Sequence, residues 1–186
     1  MSFTLAWFLS LVVLVAAFVF VGRVSRQGSA GLLIDSRERF SLTHLQLSLW
    51  TLLVLSTLIA AFVSSGFDPV ALDVPEELLI LMGISVGSAT VAGAVKSAKD
   101  APGSNADVKT KGAKFSQVYL EEEGKQANGV ISISKFQNFV LTLVAAFAYV
   151  VLTLQAQDYP TLPSQLLWLI GIGQAGYVAG KIPNAR

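Results

Sequence analysis

The sequence predicts an all-α integral membrane protein with five transmembrane helices, an N-terminal one followed by two helical hairpins. Three observations predict it. The 186 residues are 53% hydrophobic and only 13% charged, whereas a soluble domain is about 25% charged. Five apolar stretches are long enough to cross a membrane, since a helix rising 1.5 Å per residue needs about 20 residues to span a hydrocarbon core of about 30 Å. The 13 basic residues fall on one side of the crossings so defined. Arg23, Arg26, Arg37 and Arg39 follow the first stretch. Lys96, Lys99, Lys109, Lys111, Lys114, Lys125 and Lys135 fall between the third and the fourth, and Lys181 and Arg186 follow the fifth. The opposite side carries Asp68, Asp73, Glu76, Glu77 and Asp158, and no base. Basic loops stay in the cytoplasm, so the N-terminus is expected outside and the C-terminus inside.

Residues 1–22 hold the first crossing, Phe3–Gly22. No Lys or Arg precedes it, its apolar run is longer than that of a signal peptide, and no small-x-small cleavage site follows. These features predict a retained helix. Residues 23–40 form a cytoplasmic linker. Residues 41–96 are the first hairpin, with crossings at Ser41–Val63 and Glu76–Val95. Ser41 and Thr43 are candidate N-caps. Pro75 suits the start of the next helix, and Glu76 and Glu77 suit the positive end of its dipole. Residues 97–131 are a cytoplasmic loop. Its Asp100–Asp107 stretch is linker-like, and Asn128-Gly129 is a turn signal. Phe115, Val118 and Tyr119 recur at helical spacing ahead of Glu121, Glu122 and Glu123, which predicts a short amphipathic helix on the membrane surface or on a partner. The loop is too short to build its own core. Residues 132–186 are the second hairpin, with crossings at Ser134–Leu154 and Ser164–Lys181, the latter the shortest. Ser132 and Ser134 are its candidate caps. Trp50 and Tyr149 lie within spans and read as packing residues. Tyr159 and Trp168 lie near the outer face, where aromatic anchors are common.

The hairpins read as a duplication. Ser41-Leu42-Thr43-His44-Leu45-Gln46 matches Ser132-Ile133-Ser134-Lys135-Phe136-Gln137. Pro75 matches Pro163, and Leu78–Ile84 matches Leu166–Ile172, each closing on Gly-Ile. Both units start and end in the cytoplasm, so a parallel repeat about a two-fold axis along the membrane normal is expected, unlike the inverted repeats of many transporters.

The pattern Ser41-x4-Gln46-x3-Trp50-Thr51, followed by Leu79-x-Leu81-x-Gly83-Ile84-Ser85-x-Gly87, resembles a helical hairpin of uncharacterised bacterial membrane proteins. The resemblance covers each hairpin but not the first crossing or the loop. The second copy departs from it, with Leu141 in place of the Trp and Gly173-Gln174-Ala175 in place of Ser-Val-Gly. What it implies is a bacterial inner-membrane location and a fold; it carries no activity.

Sites of chemistry are sparse. The chain has no cysteine and one histidine, His44, so no thiolate chemistry and no multi-histidine metal site is expected. No ionisable group lies near the middle of a span, which argues against pumps and proton-coupled carriers. No Walker loop or Ser-His-acid set is present. No catalytic residue, cofactor, metal or nucleic-acid partner is therefore expected. Small residues let membrane helices approach closely. Gly83, Gly87, Ser85, Ala89 and Gly93 in the third crossing, and Gly171, Ala175, Gly176 and Gly180 in the fifth, are expected to form helix-packing or oligomer faces. Gln46, Gln137 and Gln174 are expected to make interhelical polar contacts or to line a pore. Phe115, Val118, Tyr119 and Glu121–Glu123 are expected to offer a docking surface. The resulting expectation is a non-catalytic scaffold, anchor or accessory subunit in contact with membrane lipid, a homo-oligomer or part of a larger complex. The alternative is a homo-oligomeric ion channel.

Overall fold

The computed structural model of the chain describes residues 1–25, 28, 30–100, 112–123 and 127–181. Most of the linker-like stretch, together with Arg26, Lys109, Lys111, Lys125 and Arg186, lies outside the described residues. The architecture is all-helical: α1 (Phe3–Val24), α2 (Leu42–Ser64), α3 (Glu76–Lys99), α4 (Ile133–Ala156) and α5 (Ser164–Ala179). The first four are long and apolar enough to cross a membrane. At 16 residues, α5 reaches about 24 Å and is shorter than those four. No strand occurs among the described residues, only isolated bridges joining Ile34 to Phe40 and Leu120 to Ile131.

Local chemistry sets the helix ends. Ser41 caps α2, its hydroxyl accepting from the His44 N–H at 3.4 Å. Thr43, the other candidate, turns to the Tyr177 hydroxyl, 3.0 Å away. Pro75 and Pro163 sit at the N-cap positions of α3 and α5. α3 runs past the expected boundary at Val95 to Lys99, because Lys96 and Lys99 find partners beyond the helix end.

The helices α2, α3, α5 and α4 form a ring in that order, and α1 packs on α2. A central two-fold exchanging the hairpins would set α2 opposite α4. They are instead neighbours, as are α3 and α5, so the hairpins lie side by side and the expected two-fold is replaced. Trp50 and Tyr149, at 1% and 0% exposure, meet edge to face and join α2 to α4. Gly171 of α5 faces Ile84 of α3, where an added Cβ would make an ordinary contact, 3.7 Å from Ile84 Cδ1.

Two apolar clusters make the core. The larger joins Trp7 of α1, Trp50 and Leu53 of α2, Leu78 and Leu81 of α3, Tyr149 of α4 and Leu167 and Ile170 of α5. The smaller joins Leu42, Ala92, Val118 and Tyr177, and it floors the charged end, where α2 and α4 begin and α3 and α5 finish. α1 begins at the other end, where Thr4 donates to Gln157 Oε1 at 2.9 Å, just past α4.

Candidate functional site

Polar side chains inside the bundle pair across helices. Gln46 of α2 donates to the Thr142 hydroxyl of α4 at 2.5 Å, and Thr142 donates to the Asn138 carbonyl at 2.8 Å. The Asn138 amide faces Gln174 Oε1 of α5 at 3.5 Å. All four residues are buried. In an apolar surrounding each amide needs such a partner, and the row links α2, α4 and α5. Gln137, expected to match Gln46, is exposed. Its neighbour Asn138 takes the inward position, because a helix turns about 100° per residue and α4 is rotated by that step relative to the aligned α2.

Charge is concentrated at one end. Lys96 pairs with Asp35, whose Oδ1 also accepts from the Arg37 and Arg39 amides at 2.8 and 3.2 Å. Arg37 bridges Asp100 at 2.7 Å and Glu123 at 3.1 Å, and Lys99 reaches Glu123 at 2.9 Å. Glu122 Oε1 accepts from Lys135 at 3.0 Å and Lys181 at 3.3 Å. Lys135 also donates to the Gln117 and Leu120 carbonyls at 3.0 and 2.9 Å, which uses all three of its donors. Arg39, at 1% exposure, donates to the carbonyls of Glu121 and Glu122. Lys181 lies 4.8 Å over the Tyr177 ring, a cation–π contact. Lys96, Lys99, Glu122, Glu123, Lys135 and Lys181 line a cavity of about 70 Å³.

The electrostatics follow from this geometry. Burial alone would raise the Glu122 carboxyl, but Lys135 and Lys181 outweigh it and bring the pKa to about 2. Burial lowers Arg39 below its ordinary value, with Glu122 and Asp35 opposing. Burial pulls Arg37 the same way, yet Asp100 and Glu123 hold it above. The end of the bundle is thus a set of charged, mutually satisfied groups binding the linker and the loop to α3, α4 and α5.

Several expected residues change role here. The Phe115–Val118 stretch is a single 3-10 turn that folds inward. Val118 is fully buried, and Tyr119 packs on Phe136 and Phe139. The Glu121–Glu123 run is not a solvated docking edge: Glu122 and Glu123 are held by lysines and an arginine, and the Glu121 backbone pairs with Val130 and Asn128. Of the docking set, Phe115 alone is exposed. The reason is charge: six bases on the surrounding elements draw the acids in. Gln117, at 3% exposure, went unremarked in the sequence; its Oε1 accepts from the Phe40 and Lys114 amides.

The small residues divide. Ser85 is buried, and Ala89 and Gly171 are partly so. Gly83, Gly87, Gly93, Ala175, Gly176 and Gly180 are exposed, and an added Cβ at Gly83, Gly87, Gly93 or Gly176 meets nothing within 4 Å. The tightest glycine is Gly173, absent from the expected faces, where a Cβ would lie 3.1 Å from Leu141 Cδ1 and 3.3 Å from Asn138 Oδ1. Among the described residues no group of three or more His, Asp or Glu is placed to hold a metal ion.

No family model, curated protein or solved structure matches the chain.

Proposed function

We propose that the chain is a non-catalytic subunit of a bacterial cytoplasmic membrane. It crosses five times, with its N-terminus outside and its charged end in the cytoplasm, and it assembles through the outward face of α3. The observation that carries this reading is the open face at Gly83 and Gly87. Glycine in mid-helix costs about 1 kcal/mol relative to alanine, and among the described residues no atom lies within 4 Å of a Cβ added at either glycine. They are flanked by exposed Leu79, Ile80 and Val86, a surface suited to close approach by another helix. The pairing of Gln46 with Thr142 and of Asn138 with Gln174 supports packing over conduction.

The test is the mass of the purified protein in mild detergent. The unaltered chain should run as an oligomer or with a stoichiometric partner, and Gly83→Leu with Gly87→Leu should release single chains with unchanged helix content. A wild type already running as a lone chain would reject the reading. So would ion flux into liposomes that carry only this protein.

A further inference from the structure

The apolar surface of α4 does not stop where the helix begins. Along the helix it is a stripe of exposed Phe136, Val140, Leu143 and Phe147, spaced three or four residues apart and so on one face. The helix that carries it is long and apolar enough to cross a membrane. Ile133, its first residue, is 80% exposed, and Val130 and Ile131 just before it are exposed as well. From there the surface passes into the loop through aromatic rings. Phe136 meets Tyr119 at 6.4 Å, Tyr119 meets Phe139 at 6.4 Å, and Phe139 meets the exposed Phe115 at 6.2 Å. Phe139 lies about 9 Å along the axis from Ile133, so Phe115 packs beside the first two turns of the span. Val118, fully buried with Leu42, Ala92 and Tyr177, roots the turn in the bundle.

We propose that the Phe115–Val118 turn and the start of α4 form an anchor seated in the bilayer surface. Phe115, Ile131 and Ile133 lie among the lipid chains just below the headgroups, and Lys114 stands at headgroup level. Continuity is the first argument for lipid as the occupant, since the patch prolongs the outward stripe of a membrane-spanning helix. The second is the backbone. Lipid offers no hydrogen bonds, so chain entering its boundary must satisfy its own polar groups. Gln117 Oε1 accepts from the Lys114 and Phe40 amides. The Gln117 amide donates to the Lys114 carbonyl at 3.0 Å, Ser132 to Tyr119 at 2.9 Å and Glu121 to Val130 at 3.0 Å. The third is the sorting of charge. Glu122 and Glu123 are held in ion pairs, and Glu121 lines the small charged cavity. Phe115 and Lys114 are left exposed, the aromatic and basic pairing of segments that lie in a membrane interface. The proposal rests on α4 crossing a membrane; it does not depend on which side is cytoplasmic or on assembly through Gly83 and Gly87.

The chain has no cysteine, so single nitroxide labels can be introduced by Phe115→Cys, Ile131→Cys, Phe147→Cys and Ser36→Cys. The full chain is placed in vesicles of phosphatidylcholine and phosphatidylglycerol. Collision with oxygen, which concentrates in lipid, and with a water-soluble nickel chelate reads the depth of each label. The label at position 147 should lie deepest, and the label at the exposed position 36 should favour the chelate. Labels at 115 and 131 should favour oxygen, the reverse of position 36. Position 131 gives the reading if loss of the Phe115 ring, which also packs on Phe40, loosens the turn. Labels at 115 and 131 that behave like position 36, beside a lipid-buried 147, would overturn the anchor and leave the span standing. An aqueous 147 would overturn both. Labels at 115 and 131 shielded from both reagents would put protein on the patch and overturn the anchor as well.

Discussion

Tyr149 of α4 donates its hydroxyl to Thr57 Oγ1 of α2 at 3.0 Å. The same oxygen accepts from Trp7 Nε1 of α1 at 3.1 Å and donates to the Leu53 carbonyl at 2.9 Å. A hydroxyl has one donor and two acceptor positions, so Thr57 is fully used, and it joins three helices at a point with 0% exposure. Thr57→Val should therefore leave both the indole and the phenol unpaired. The expected loss is about 1–2 kcal/mol, against about 0.6 kcal/mol for Tyr149→Phe, the range seen for hydrogen bonds between membrane helices. Denaturant unfolding in detergent, followed by tryptophan fluorescence, would measure both. Equal stability of the two variants would show that Thr57 is not the junction.

Glu122 gives the chain a pH dependence with a definite sign. Its pKa is depressed from 4.5 to about 2, so its contribution is complete above the ordinary carboxyl value and disappears as pH falls toward the lower one. Melting temperature should drop as pH falls from about 4.5 to about 2, between the ordinary and the depressed value. Glu122→Gln should be less stable at pH 7 by about 3 kcal/mol, because Lys135 and Lys181 lose their carboxylate. Its melting curve should also vary less across that acid range. A variant as acid-sensitive as the wild type would assign the effect to other carboxylates.

Asn138 and Gln137 are adjacent in sequence and opposite in placement. Asn138→Ala removes the partner of Gln174 and should destabilise by about 1 kcal/mol. Gln137→Ala, on the exposed side, should change stability by less than about 0.5 kcal/mol. Thermal melts of the two proteins would decide it. A reversed order would mean that α4 is rotated by one position.

Gly173 and Gly176 separate intrachain fit from free surface. Gly173→Ala places a methyl against Leu141 and Asn138 and should destabilise by about 1–3 kcal/mol through overpacking. Gly176→Ala meets no atom within 4 Å and should leave the single chain as stable or gain up to about 1 kcal/mol of helix propensity. Parallel unfolding curves in a detergent that keeps the protein monomeric would give both values.

The helices were legible because a lipid-facing stretch announces itself by length and apolarity, and proline and serine mark its ends. The pairing of helices was not. Hydropathy does not say how a helix is rotated, so Gln46 and Gln174 could be seen to need partners while Asn138 passed unnoticed beside Gln137. The charged cluster was missed for a related reason. Reading Arg37, Arg39, Lys96, Lys135 and Lys181 as markers of a membrane side is silent on their contacts. The available signal was that Asp35, Asp100 and Glu121–Glu123 share that side with them, so salt bridges between linker, loop and helix ends had material to form.

The position of Lys181 has a consequence for biogenesis. Glu122 emerges from the ribosome well before the residue that becomes its second cation, which follows the last turn of α5. Until that lysine arrives, Lys135 alone faces the carboxylate, and the loop is held by fewer bonds. Completion of the clasp thus coincides with completion of α5, and a chain cut before Lys181 would hold Glu122 through Lys135 alone.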